Sequence, residues 1–157
     1  MPIDEIAECT GIYLKRDSGP SATGGFAHFL RHRDDENIVR YVPVIMINTQ
    51  HRTEHGEPVG EREIFFHEFY HLLHSSVEND FLLSGEESLI TLRAMHAQEE
   101  RRAQDFAARM LIDEIRAGET AREIAWRCDV STRLAEHACR AASAHDNVTR
   151  DWRAILT

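Results

Sequence analysis

The residues best suited to chemistry form the pattern H-E-x-x-H over positions 67–71. In a helix, His67 and His71 lie about one turn apart and project from the same face. Two imidazoles at this spacing can ligate one zinc ion. Glu68 lies about 100° further round the helix, where it can reach a water on the metal without being a ligand. The pattern therefore predicts a metal centre in which Glu68 is the catalytic base.

The motif lies in an apolar stretch that predicts a helix over residues 61–74, buried on nearly all sides. Its hydrophobic residues are Ile64, Phe65, Phe66, Phe69, Leu72 and Leu73. Two imidazoles and a carboxylate in such surroundings need polar partners, because burial without them is unfavourable. Core histidines with ordinary hydrogen bonds are the alternative, and the apolar setting favours a bound metal ion.

A catalytic zinc site needs a third protein ligand and an open position. The extended pattern H-E-x-x-H-x-x-G-x-x-H is not present, because His74 stands at its glycine and Val77 at its last histidine. His74 would lie about 10 Å along the helix from His67, which favours a surface or supporting role. The remaining candidate for the third ligand is a glutamate of the next predicted helix. Periodicity alone does not separate Glu99 from Glu100.

The surrounding patterns predict a small α+β fold that positions these residues. A short helix over 3–10 ends at Gly11, and a loop rich in Gly, Ser and Pro covers 15–25. Two strand-like runs, 26–32 and 41–47, flank a polar turn. These runs predict an antiparallel hairpin packed on the H-E-x-x-H helix.

One edge of this hairpin is a candidate binding surface. Pro43 cannot donate a ladder hydrogen bond, which favours an edge strand or the beginning of a strand. The edge that ends at Asn48 could hold an extended substrate by strand addition, and an ordinary edge strand is an equal alternative.

Helices follow the motif to the end of the predicted fold. A long helix runs from about 86 to 111, and two short helices cover about 120–128 and 132–142. The last four turns of the long helix carry one apolar face, formed by Ala103, Phe106, Ala107, Met110 and Leu111. After residue 143, the possible docking residues are Trp152, Ile155 and Leu156.

The two short helices are similar in part to a helix-turn-helix. Residues 121–131 resemble its first half, with Asp129 at the usual glycine position. Basic and acidic residues balance over this region and no basic face emerges. A structural or partner-docking role is therefore expected rather than DNA binding.

Composition excludes several classes of protein. The 157-residue chain has a net charge of −9, which argues against a general nucleic-acid binder. No apolar run approaches the ~20 residues that span a bilayer, and the acidic N-terminus lacks the order of a signal peptide. Three widely spaced cysteines, Cys9, Cys128 and Cys139, indicate free thiols in a reducing cytoplasm.

Three segments together resemble the ImmA/IrrE-type zinc metallopeptidases, over roughly residues 24–140. They are the strand end Met46-Ile47-Asn48, the run from His67 to His74, and the run from Glu100 to Leu111. The last run is similar to the family's E-x-x-A-x-x-F-A-x-x-L-L. The resemblance implies that Glu100, rather than Glu99, is the third zinc ligand beside His67 and His71.

The resemblance also implies an architecture and an activity. It implies a zincin-like, gluzincin-like metallopeptidase domain over 1–113 and a C-terminal helical segment, 114–157, packed on it. The implied activity is a zinc-dependent endopeptidase that cleaves a regulatory protein such as a helix-turn-helix repressor, in a phage, mobile-element or stress-response circuit. Glu68 would assist the attack of a zinc-bound water. Tyr70 and His74 are the candidates for stabilising the oxyanion.

A second interpretation comes from a different class of protein. The chain could be a zinc-containing regulatory or toxin-antitoxin-type binding protein without proteolysis. Glu68 separates the two, because a structural zinc site does not need that carboxylate and fills its fourth position with protein.

Overall fold

The computed structural model describes residues 2–19, 24–74 and 97–144, which form a mixed α+β fold. The elements are α1 (Ile3–Thr10), β1 (Tyr13–Asp17), β2 (Gly25–Arg33), β3 (Val39–Asn48), α2 (Glu61–His74), α3 (Ala97–Leu111), α4 (Ala121–Cys128) and α5 (Thr132–Ala144). The predicted α+β class is confirmed. Among these residues, no helix combines the length and the apolar character needed to cross a membrane.

Two predicted stretches lie outside the described residues. They are the first part of the long helix, 86–96, and the end of the chain with its possible docking residues, 145–157. The described part of the long helix, α3, therefore begins three residues before Glu100.

The described sheet has three strands, with β3 in the centre. β2 pairs with β3 in antiparallel register, from Gly25 opposite Ile47 to Arg33 opposite Val39, so the predicted hairpin is confirmed. β1 pairs with β3 in parallel register, from Tyr13 opposite Val44, which makes the sheet mixed. The predicted loop over 15–25 is wrong for its first residues, because the ladder with β3 holds this polar segment extended.

Pro43 lies where the sheet can accept it. It is opposite Phe29 of β2, one residue before the pairing with β1 begins at Val44. Pro43 therefore avoids the part of β3 that has hydrogen-bonded neighbours on both sides, as its missing N–H requires.

The expected substrate edge at Asn48 is not available. Asn48 pairs with Asp17 of β1, and its N–H donates to the carbonyl of Gly24 on the other side. Strand addition at this end of β3 is therefore excluded, because the central strand already has both neighbours there.

α2 and α3 pack on one another, and α2 packs on β2 and β3. Phe65, Ile45 and Ile47 are completely buried at this junction. Leu73, in contrast, is 57% exposed at the end of α2. Met110 of the predicted apolar face of α3 is 48% exposed, so that face is narrower than expected.

Local signals explain where α4 begins and ends. Thr120 and Glu123 form a capping box, in which each side chain accepts from the backbone N–H of the other residue. Asp129 adopts the left-handed conformation, with φ 53°, at the position where glycine is usual. Its short polar side chain tolerates this conformation better than a branched one would.

Two carboxylates attach the beginning of α5 to the rest of the fold. Glu63 of α2, 5% exposed, accepts from the backbone N–H and the hydroxyl of Ser131, each at 2.8 Å. Glu57 accepts in the same way from Thr132, again at 2.8 Å. Anionic acceptors at a helix N-terminus satisfy its unpaired N–H groups and favour its dipole. α5 is therefore held in a defined position relative to the helix that carries His67.

Candidate metal centre

Three side chains converge between α2 and α3. The Nε2 atoms of His67 and His71 lie 3.3 Å apart. One carboxylate oxygen of Glu100 lies 3.0 Å from Nε2 of His67, and the other lies 3.0 Å from Nε2 of His71. The three ligand atoms all lie within 4.8 Å of one another, so this group can hold a metal ion.

The spacing of the donors fits a small divalent ion. In a tetrahedral site with zinc–nitrogen distances of about 2.0–2.1 Å, two ligand atoms are about 3.3 Å apart. The separations of 3.0–3.3 Å found here match that value. Two imidazoles and one carboxylate also make up one of the known three-ligand sets of catalytic zinc.

The structure places Glu100, and not Glu99, at the two imidazoles. Glu99 is exposed to solvent, whereas Glu100 is partly buried on the side of α3 that faces α2. Hydrogen bonds from His67 and His71 hold the pKa of the Glu100 carboxyl well below its usual range. Glu100 therefore stays ionised, which is the form that binds a cation.

A cavity of about 400 Å³ opens onto this group, and Glu68 lies in its wall. Glu68 is only 5% exposed, so its carboxylate is largely removed from bulk water. The wall also includes Gly24 and Gly25 at the beginning of β2. Glu68, the three converging side chains and space for a ligand molecule therefore occur together.

Gly25 allows β2 to approach α2, and Gly24 allows the segment before β2 to approach His51. A β-carbon on Gly25 would lie 2.6 Å from Cγ2 of Ile64, and one on Gly24 would lie 2.8 Å from the ring of His51. Contacts this short are not found for real β-carbons, so a larger residue would displace Ile64 or the strand at position 25, and His51 at position 24. The sequence pattern had marked these glycines only as part of a loop.

Tyr70 and His74 do not line this cavity. Tyr70 is buried, and its ring stacks on that of His74 with centroids 4.0 Å apart. Tyr70 also lies beside Phe106 of α3, and Nδ1 of His74 is 2.9 Å from the carbonyl of Tyr70. The two rings therefore pack on one another at the end of α2, where His74 is exposed to solvent.

Several residues of the cavity wall were not predicted from the sequence. They are His51, Gln104, Arg133 and His137. Burial, together with the charge of Arg133, lowers the pKa of His51. The spacing of four between Arg133 and His137 does indicate one helical face, but nothing in the sequence shows what that face contacts.

The comparisons with known proteins add no family. No protein-family model, curated protein or solved structure matches this chain.

Proposed function

We propose that this protein is a zinc-dependent endopeptidase of the ImmA/IrrE type, with a zincin-like arrangement of α2 and α3. One observation carries the proposal: His67, His71 and Glu100 bring their ligand atoms within 4.8 Å of one another, in the wall of the cavity that also contains Glu68. A structural zinc site would need four protein ligands and no carboxylate base. Among the described residues, the group has three.

The residues of the site have separate tasks in this proposal. His67, His71 and Glu100 would hold zinc, which would supply a Lewis acid to polarise the peptide carbonyl and to acidify water. Glu68 removes a proton from the attacking water with its carboxylate and delivers it to the leaving amine. Glu68 is 5% exposed, so little bulk water competes with this transfer.

We propose a regulatory protein, such as a helix-turn-helix repressor, as the substrate. The support is the resemblance of three segments to a family that acts on such regulators. The helix pair α4 and α5 is joined by a three-residue turn, 129–131, and this supports a helix-turn-helix-like C-terminal segment. The three cysteines are all free in the structure, which supports a cytoplasmic location.

The test is cleavage of the regulator encoded by the neighbouring gene. Zinc-loaded protein is expected to cut it, and a chelator is expected to stop the reaction. Glu68→Gln should bind zinc normally and cleave at least about 100-fold more slowly, because the proton transfer is lost. Glu99→Gln is the matched control and should cleave at the normal rate. Near-normal cleavage by Glu68→Gln, or no cleavage by the zinc-loaded protein, would overturn the proposal.

A further inference from the structure

A second pair of titratable side chains lies beside the metal centre. Nε2 of His137 on α5 is hydrogen-bonded to Oδ1 of Asp105 on α3. The side chains are only 14% and 24% exposed, respectively. His137 lines the cavity that contains Glu68 and Glu100, whereas Asp105 does not. The pair is therefore a histidine of the cavity wall that is hydrogen-bonded to a carboxylate outside the wall.

The contact with Asp105 orients the ring of His137. A carboxylate accepts a hydrogen bond from Nε2–H, and the ring then has Nδ1 as its second polar atom. Among the described residues, Nδ1 has no hydrogen-bond partner, and it is not a buried, unsatisfied atom. In the imidazolium form, whose charge Asp105 balances, Nδ1–H is a donor for a ligand in the cavity.

The same face of α5 carries a second donor. Arg133 lies one turn before His137 and lines the same cavity. Within the described residues its guanidinium has no hydrogen bond or ion pair. Glu63, in contrast, is occupied by Ser131, and Glu100 by the two imidazoles. The cavity wall formed by α5 therefore presents hydrogen-bond donors, as a ligand with carbonyl oxygens requires.

We propose that His137 is a further catalytic residue, which donates a hydrogen bond from Nδ1 to the carbonyl oxygen of the scissile peptide, and that Asp105 is its positioning residue. This inference rests on the proposed peptidase function. The bond strengthens as negative charge develops on that oxygen, and no covalent bond to His137 forms. α5 is then part of the active site, and the anchoring of Ser131 by Glu63 serves to hold it there.

The test uses binding of a probe, so that it does not depend on finding the substrate. The protein is loaded with cobalt, whose visible spectrum reports on its ligands, and titrated with N-acetyl-leucine hydroxamate. The carbonyl oxygen of the hydroxamate stands in for the carbonyl oxygen of the scissile peptide. His137→Gln is expected to bind cobalt normally and to weaken the hydroxamate about tenfold, as expected for loss of a charge-assisted hydrogen bond. Asp105→Asn should weaken it by a smaller factor.

Controls separate this inference from a structural role and from the proposed function. Glu136→Gln, on an exposed part of α5, should leave the hydroxamate affinity unchanged. If His137→Gln does not fold, Asp105→Asn carries the test, and normal hydroxamate affinity in the folded variant overturns the inference. If both variants bind cobalt and their affinity for the hydroxamate is unchanged, the role of His137 is overturned and the metal centre is not. Failure of the unmodified protein to bind cobalt overturns the metal centre and this inference with it.

Discussion

Gly25 and Glu68 approach so closely that a β-carbon at position 25 would lie 3.2 Å from Cγ of Glu68. It would also lie 2.5 Å from the backbone oxygen of Met46. The beginning of β2 thus lies tightly between the central strand, β3, and the helix α2. A side chain at position 25 would therefore displace its neighbours, the proposed base among them.

Gly25→Ala is therefore expected to lower both stability and activity. The methyl group meets a backbone oxygen that cannot move alone, so we expect a loss of about 1–3 kcal/mol in the free energy of unfolding. Cleavage should slow because the strand and Glu68 are pushed apart. Urea unfolding and the cleavage assay measure the two effects. Gly19→Ala, where the added carbon makes an ordinary 3.4 Å contact, is the control, and wild-type stability of Gly25→Ala would contradict the packing described.

The carboxylate of Glu63 should be coupled energetically to Ser131. Glu63→Ala leaves two donors of Ser131 without their acceptor in a buried place, which predicts a loss of about 2–3 kcal/mol. Ser131→Ala and the double variant complete the cycle, measured by urea unfolding. The double variant should lose at least about 0.5 kcal/mol less than the sum of the single variants. Simple additivity would show that the pair does not anchor α5, and exposed Glu54→Ala should change stability little.

Arg127 predicts a pH-dependent contribution to stability. Its guanidinium donates to Glu119 and Asp113 at 2.7 Å each, and to the carbonyl of Glu114 at 2.6 Å. It holds the pKa values of Glu119 and Asp113 below their ordinary values of 4.5 and 3.8. A lowered carboxyl pKa in the folded state adds stability above the ordinary pKa, and this stability is lost as the pH falls through the folded value.

Arg127→Met should therefore lower the free energy of unfolding by about 1–2 kcal/mol at neutral pH, allowing for the solvent exposure of Asp113. The difference from the wild type should shrink as the pH falls below about 4. Unfolding curves from pH 3 to pH 7 measure it. Arg122→Met, an exposed position of the same helix, is the control. A difference that does not change with pH would rule out the ionic origin.

Tyr70→Phe tests whether this phenol takes part in the reaction. Tyr70 lies outside the cavity wall and packs on His74 and Phe106. Removing its hydroxyl should therefore leave kcat and KM of the cleavage within about twofold of the wild type, a change of less than 0.5 kcal/mol. A fall of 100-fold in kcat would return Tyr70 to the catalytic residues.

Strong local periodicity made part of this fold predictable. The continuous apolar pattern of α2 and the β-branched run of β3 gave elements close to those observed. β1 was missed because Lys15, Arg16 and Asp17 have no strand-like alternation. These residues are extended because they pair with β3, a contact distant in the sequence.

The site shows the same division between local and distant information. The spacing of His67 and His71 follows from helix geometry alone, but two adjacent glutamates differ only by the rotation of α3 about its axis. That rotation is set by packing against α2, which brings Glu100 to the imidazoles. His137 was missed for a related reason: it reaches the cavity through the position of α5, whose beginning is bound by Glu63 and Glu57 and which also packs on α3.

Zinc binding by paired glutamate variants measures most directly whether the three side chains form the metal centre. We expect one zinc ion per chain in the wild type and in Glu99→Ala, determined by elemental analysis after dialysis against a buffered chelator. Glu100→Ala and His71→Ala should retain their fold and lose the ion under the same conditions, because two ligands hold zinc too weakly. Full zinc content in Glu100→Ala, or its loss only in Glu99→Ala, would contradict the proposed centre.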